Sequence, residues 1–388
     1  MGLPAPLKPG NERYPALTGI RAVGAAAVFF VHLPFQLGHL MVIDVMALFF
    51  VLSGFLIFYL YYEDAAVRAG KLHQYFVNRF ARIYPVYFLL VTVAILLRQD
   101  FRPLFLFKNY TLTHAFFNNI YNRAIQPSWS ITVEECFYLL APLFMYLVRK
   151  INFIAALLFA ALLLGIALFI SILPISLLHS ARFVFSVTFF GHFFEFFCGI
   201  FLALVILKKE KCLQQSQNKA EKQSALICAS PRENFAQKGT VALTGTKYTL
   251  AGIAGIVIAM GVLVISNNMN NPTQAIQFFL INNFILPVPV AVLYYGLICE
   301  RSFLAKILSF KWMGLLGRTS YAFYLVHMIM IESVAVPFIL PYFKAAPNFY
   351  VVIVFILTQI AAFCIYAFYE QPLNKWIRSK YSVQRVNR

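Results

Sequence analysis

Long apolar runs separated by short polar breaks set the elements of this chain. A helix rising 1.5 Å per residue needs about 20 apolar residues to cross a ~30 Å hydrocarbon core. Such runs predict ten spans, at residues 14–36, 40–62, 80–97, 129–148, 151–173, 183–207, 248–266, 275–299, 314–340 and 348–370. The break Arg149-Lys150-Ile151-Asn152 makes the fourth and fifth an antiparallel hairpin. Pro174, Pro287, Pro289 and Pro337 lie in or beside spans, where neighbouring helices tolerate kinks. The first span carries Arg21 and His32 and is too long for the apolar core of a signal peptide, so it reads as mature structure.

Residues 208–247 form one long polar insert dominated by Gln, Ser, Lys and Glu, a composition expected of a disordered cytoplasmic loop. It divides six spans from four, and no internal repeat is visible. Residues 1–388 therefore read as one all-α polytopic membrane domain, ending in a basic cytoplasmic tail over 371–388. The aromatic segment 99–128 is either a packed connector or a lid.

Composition agrees: 61% of residues are hydrophobic and only 12% charged, too few to clothe a soluble protein of this size. A net charge of +18 suggests nucleic acid until the basic residues are placed. With both termini in the cytoplasm, 26 of the 32 lysines and arginines fall on that side and 6 on the other. This is the positive-inside bias, and its loops favour anionic lipid headgroups over nucleic acid. Six cysteines show no CxxC or zinc-like spacing and read as small reduced residues of the membrane core, with no metal site.

Polar residues inside spans are costly and mark candidate chemistry. Arg21 and His32 are eleven positions apart, about three turns, so they share one face roughly 16 Å apart along the axis. Arg79 and Arg82 share a face at the cytoplasmic boundary, either as snorkelling anchors or as a phosphate clamp. Glu134 and Glu135 open the fourth span, with Ser130 one turn before Glu134 and able to hold it; an ion pair with an arginine is the structural alternative. His192 and Glu195 share a face of the sixth span, and His327 lies in the ninth, where a packing role competes with a catalytic one. Ser53-Gly54 reads either as a close-packing element or as a nucleophile. GxSxG, Walker and HExxH motifs are absent from the sequence.

Taken in order, Arg21-x10-His32, LFFVLSGFLI, RFARIYP, PSWSITVEECFYLLAP, EFFCG, LGRTSYAFYLVH and Tyr369-Glu370-Gln371-Pro372 resemble the acyltransferase 3 family of integral membrane acyltransferases. The resemblance covers essentially the whole chain. Two positions depart from it: Thr18 stands where the first motif commonly has an acid, and Ala47 where the second often does, with Asp44 three residues earlier as a substitute. The resemblance implies transfer of an acyl group, commonly acetyl, from acyl-CoA (acetyl-CoA) to a hydroxyl of a carbohydrate or glycolipid such as a cell-surface polysaccharide. It further implies a bacterial inner membrane, His32 as catalytic base, Glu134 as its partner, and Arg79, Arg82 and Arg21 as donor-binding residues. Ser130, Ser53, His327 and Glu195 are further candidates.

A proton-coupled transporter or flippase is the rival from another class, but it predicts paired halves with matching broken helices. A non-catalytic sensor of the same fold is the third possibility. In the assigned topology His32 lies ~27 Å along its span and Glu134 ~8 Å below the outer boundary. The two are thus expected at a shared depth near the outer face, with the arginines at the inner face and a channel for the thioester arm between.

Overall fold

Prolines and short polar side chains start the helices where the hydropathy pattern breaks. Pro15, Pro103 and Pro347 occupy first turns, where a missing N–H costs nothing. Asn152, Ser180 and Ser302 cap their helices by accepting from the amides of Ala155, Phe183 and Ala305. The computed structural model describes residues 13–33, 45–64, 72–117, 123–175, 177–227, 245–265, 272–343 and 346–381. Asp44, the remainder of the insert over 228–244, and the tail beyond 381 lie outside the described residues.

The elements are α1 (Pro15–Val31), α2 (Met46–Tyr61), α3 (His73–Arg98), the short α4 (Pro103–Tyr110), α5 (Trp129–Lys150), α6 (Phe153–Ser171), the short α7 (Ala181–Val187) and α8 (Phe189–Ile227). They continue with α9 (Lys247–Ile265), α10 (Pro272–Leu280), α11 (Pro287–Cys299), the short α12 (Phe303–Leu308), α13 (Lys311–Met330), α14 (Leu340–Phe343), α15 (Pro347–Ile365) and α16 (Gln371–Tyr381). Wide π-helical turns at Ile281–Ile285, Ile331–Ile339 and Tyr366–Glu370 join α10 to α11, α13 to α14 and α15 to α16. The first and second of these turns fall next to Pro287 and around Pro337, which relieves the proline clash without breaking the helix.

Eight of the resulting stretches are long and apolar enough to cross a membrane, and α1 and α2 are shorter apolar helices beside them. Together they match the ten predicted runs. The protein is an all-α polytopic membrane protein, with no strand among the described residues. Leu158, Leu162 and Phe169 on α6 face outward, as lipid contact requires. The polar insert begins as helix, since α8 runs on to Ile227.

Ion pairs sort the helix ends as an alternating topology demands. At one end Arg13 and Tyr14, before α1, reach Glu210 of α8 at 2.9 and 2.8 Å, Lys211 reaches Glu63 at 2.8 Å, and Arg149 donates to the Tyr62 carbonyl. At the opposite end Arg98, closing α3, pairs with Glu332 at 3.2 Å.

Close packing through glycine fixes the helices that carry the site. A β-carbon on Gly54 of α2 would collide with the carbonyl of Phe196, and one on Gly199 of α8 with that of Val51. The Ser53-Gly54 element is therefore a packing element at its glycine. Gly317 of α13 sits against the Thr18 carbonyl of α1 in the same way, which holds α1 and α13 side by side. Phe50, Phe196 and Phe137 stack between α2, α8 and α5 at 5.0 and 4.3 Å.

Candidate active site

α1 ends at His32, and the end is what aims the ring. Its Nδ1 lies 2.8 Å from the Val28 carbonyl, one turn back. His327 on α13 repeats the device, with Nδ1 2.6 Å from the Tyr324 carbonyl. A carbonyl only accepts, so in each neutral ring Nδ1 carries the proton and Nε2 keeps its lone pair. The two rings face each other with centroids 5.2 Å apart. His327 is fully buried, and its Nε2 has no hydrogen-bond partner among the described residues. The contact between α1 and α13 thus sets two potential bases side by side.

Glu134 keeps different company. Ser53 donates to it at 2.7 Å and Tyr138 at 3.4 Å, and it lies within electrostatic reach of Arg21 and then Arg82. The carboxylate is thus grouped with the arginine end of the Arg21-x10-His32 motif, about 16 Å along α1 from the imidazole. The expected holding of Glu134 by Ser130 is corrected. Ser130 instead bonds the Pro127 carbonyl at 3.1 Å and the Tyr324 hydroxyl at 2.6 Å, because a serine one turn before a carboxylate on a helix bonds more readily to the preceding carbonyl or across to a neighbouring helix. Ser53, from α2, takes the role. Glu135 turns its own way, within reach of Arg79, with Oε1 buried and without a hydrogen-bond partner among the described residues.

Toward the basic end, Arg82 forms a 2.5 Å ion pair with Glu370, which is only 2% exposed. Arg79 donates to the Tyr61 hydroxyl at 3.2 Å and lies over the rings of Tyr61 and Tyr138, 5.4 and 5.7 Å from their centroids. Its Nε is buried without a hydrogen-bond partner among the described residues. The two arginines share a helix face, yet each has its own neighbours. His32 with His327, Glu134 with Ser53 and Tyr138, and Arg82 with Glu370 are thus three polar groupings within the bundle.

His192 and Glu195 of α8 form a separate buried pair at 2.7 Å, with the imidazole against Trp129 and Phe50. The described residues on either side of 118–122 pack between α3 and α5: Tyr87 donates to the Asn109 carbonyl at 2.7 Å, and the Asn109 side chain accepts from the Ala124 amide at 2.8 Å. Its His114 is buried against Ser128 at 3.0 Å. Burial first, and the charge of Arg123 second, pull the imidazole pKa down to about 3, so it is neutral at physiological pH. Among the described residues no three His, Cys, Asp or Glu side chains gather as a metal site.

Sequence reasoning did not assign roles to Tyr324, Tyr138, Glu370 or Arg123. The Tyr-Glu-Gln-Pro motif was the one available signal for Glu370; the others are defined by neighbours distant in sequence.

Fold and site together define a polytopic membrane protein with a charged and imidazole-bearing interior. The model of the acyltransferase 3 family, described as an acyltransferase domain, matches residues 14–367, and the chain belongs to that family. Among characterised relatives it is similar to the peptidoglycan O-acetyltransferase OatA of Listeria monocytogenes, 31% identical over 157 residues, or 35% of this chain and 25% of that protein. Nodulation protein 10 of Rhizobium leguminosarum is 32% identical over 142 residues, 31% of this chain and 37% of that protein. An uncharacterized Haemophilus influenzae protein is 30% identical over 124 residues, 27% of this chain and 50% of that one. The aligned regions thus span between a quarter and half of these relatives. No solved structure matches the chain.

Proposed function

We propose that the chain is a membrane O-acyltransferase that moves an acyl group, acetyl in the simplest case, from acyl-CoA to a hydroxyl of a carbohydrate or glycolipid. Membership of the family supplies the reaction class, and the named activity of the Listeria relative suggests a cell-surface glycan. The single observation that carries the reading is His32: the family motif ends in an imidazole whose Nδ1 is tied to Val28, leaving Nε2 as a base beside His327.

In the proposed reaction Nε2 of His32 takes the proton of the acceptor hydroxyl as its oxygen attacks the thioester carbonyl. The new C–O bond replaces the C–S bond, and the proton leaves with the thiolate as free CoA-SH. Arg79 and Arg82 bind the donor phosphates at the basic, cytoplasmic end. Arg82 spends one nitrogen on Glu370 and retains further guanidinium donors for a ligand. Arg21 extends this cationic path inward, and Glu134, held by Ser53 and Tyr138, balances it. In this scheme the thioester arm reaches from the arginines toward His32 between the helices, in a single catalytic domain of a bacterial inner membrane.

The test is transfer itself: purified protein in detergent, radiolabelled acetyl-CoA and a panel of sugar acceptors. Label appearing in an ester with a sugar hydroxyl is the expected result. Hydrolysis or turnover without any acylated sugar, across neutral, acidic and lipid-linked acceptors, would overturn the reading.

A further inference from the structure

Among the described residues Arg123 is the one Lys or Arg that is fully buried, and ion pairing does not explain it. It lies in the connector before α5, at the end of the bundle opposite the basic termini, and is only 3% exposed. Its Nε and Nη2 are buried and make no hydrogen bond among the described residues. Arg13, Arg82, Arg98 and Arg102 each have a carboxylate partner; Arg123 forms no ion pair among the described residues. The groups within its electrostatic reach are Tyr324 and His114.

A buried cation with no counter-charge costs several kcal/mol, so its retention needs a reason outside the folded chain. The backbone that follows it is held firmly. Ala124 is bonded to Asn109, and Ser128 bridges His114 and the Ile125 carbonyl at 3.0 and 2.6 Å. Burial lowers Arg123 from its ordinary value to about 10, which still leaves it charged at neutral pH beside a neutral His114.

Its position points to the acceptor. The Tyr324 hydroxyl donates to the Pro127 carbonyl at 2.7 Å, and the Tyr324 ring stands 5.8 Å from that of His327, which faces His32. Tyr324 thus lies within electrostatic reach of Arg123 and also beside His327, the ring next to the proposed base. That suits a group on the acceptor better than the reacting carbonyl. A guanidinium presents paired N–H donors that match a carboxylate or a phosphate.

We propose that Arg123 binds an anionic group of the acceptor, so that the substrate is an acidic carbohydrate or a sugar phosphate whose hydroxyl reaches His32. The proposal rests on the acyl-transfer reading and deepens it. Arg123 is a substrate-binding residue in this scheme, and the reacting atoms do not touch it.

The test compares methyl glucoside, methyl glucuronoside and glucose 1-phosphate, first for binding to the full chain in nanodiscs without donor, then as acceptors of labelled acetyl groups. One of the two anionic probes is expected to bind and be acylated with a KM at least about tenfold below that of the neutral sugar, the scale of one charge-assisted contact. Preference for the glucuronoside indicates a sugar acid, and preference for the phosphate a sugar phosphate. Arg123→Gln should erase that preference and Arg123→Lys restore part of it, while the Tm of Arg123→Gln stays level or rises because an unpaired buried charge is gone. The proposal is overturned if the anion preference is absent, if it survives Arg123→Gln, or if that variant melts lower or fails to fold, which would make Arg123 structural. Arg123-dependent anion binding without transfer to any acceptor would leave the anion site standing and count against acyl transfer instead.

Discussion

His32 and His327, from helices at opposite ends of the chain, face each other with ring centroids 5.2 Å apart, each tied through Nδ1 to a carbonyl of its own helix. Two imidazole lone pairs presented to one small space repel unless a proton or a hydroxyl lies between them. In the proposed reaction an acceptor hydroxyl entering there would meet an imidazole whose tautomer the helix carbonyl has already set. The pairing also explains why α1 and α13 are locked through Gly317 and Thr18: a slide of one helix would separate the rings.

His32→Ala should therefore lose at least ~10²-fold in kcat while inserting and folding normally, since positioned acid–base catalysis contributes about that much. His327→Ala should fall between it and the wild type. Single-turnover transfer from acetyl-CoA measures both. The reverse order would move the base to His327, and full activity in both variants would remove the imidazole pair from the chemistry.

Arg82 and Glu370 allow the donor-binding and anchoring roles to be separated. Arg82→Ala should raise the KM for acyl-CoA, and Arg82→Lys should recover part of it, because lysine keeps the charge but loses the fork. The alanine variant also strands a buried carboxylate, at a cost of about 3 kcal/mol or more. Adding Glu370→Gln to Arg82→Ala should restore the melting temperature and leave the raised KM untouched. A double variant that recovers both would confine Arg82 to anchoring the helix.

The spans were legible because lipid imposes their length and their uninterrupted apolarity, and Arg21, His32, Glu134 and the arginine pair stood out as charges within such runs. Their partners were not legible. A helical period assigns a residue to a face and says nothing about which helix that face meets: Ser130 and Glu134 are one turn apart, yet Ser130 bonds Tyr324 and Glu134 bonds Ser53. Glu370 ends the π-helical turn Tyr366–Glu370, where the wider turn shifts every following side chain from its 3.6-residue position. Its alignment with Arg82 could not be read from periodicity.

The crossing of α2 and α8 gives a stability prediction independent of the reaction. Gly54 and Gly199 each bring the neighbouring backbone too close for a β-carbon. Gly54→Ala and Gly199→Ala should each destabilise by about 1–3 kcal/mol, the usual cost of overpacking. Because Ser53 adjoins Gly54, the Gly54 variant should also weaken transfer by displacing the Ser53 contact to Glu134. Melting of the detergent-solubilised variants checks the first statement and acetyl transfer the second; two variants that melt with the wild type would mean the helices separate without cost.

Glu300 supplies the pH dependence. It lies between α11 and α12 and reaches the first turn of α9, where Oε1 accepts from the Tyr248 amide at 2.7 Å and Oε2 from the amide and hydroxyl of Thr249 at 2.9 and 2.7 Å. A carboxylate at a helix N-terminus satisfies orphan amides and meets the positive end of the dipole. Burial alone would raise its pKa, but the Thr249 hydroxyl and the two amides outweigh burial and hold it below the ordinary carboxylate value. A group whose folded pKa is depressed stabilises the fold above its unfolded pKa, near 4.3, and loses that contribution as the pH falls through the folded value. Glu300→Gln should therefore lower stability at pH 7 by about 1–2 kcal/mol, and its deficit should shrink as the wild type is acidified below the ordinary carboxylate range. Thermal melts of both proteins in the same detergent from pH 7 to about pH 3 read the difference directly. A deficit that stays constant across that range would mean Glu300 acts through shape and hydrogen bonding alone, with no share for its charge.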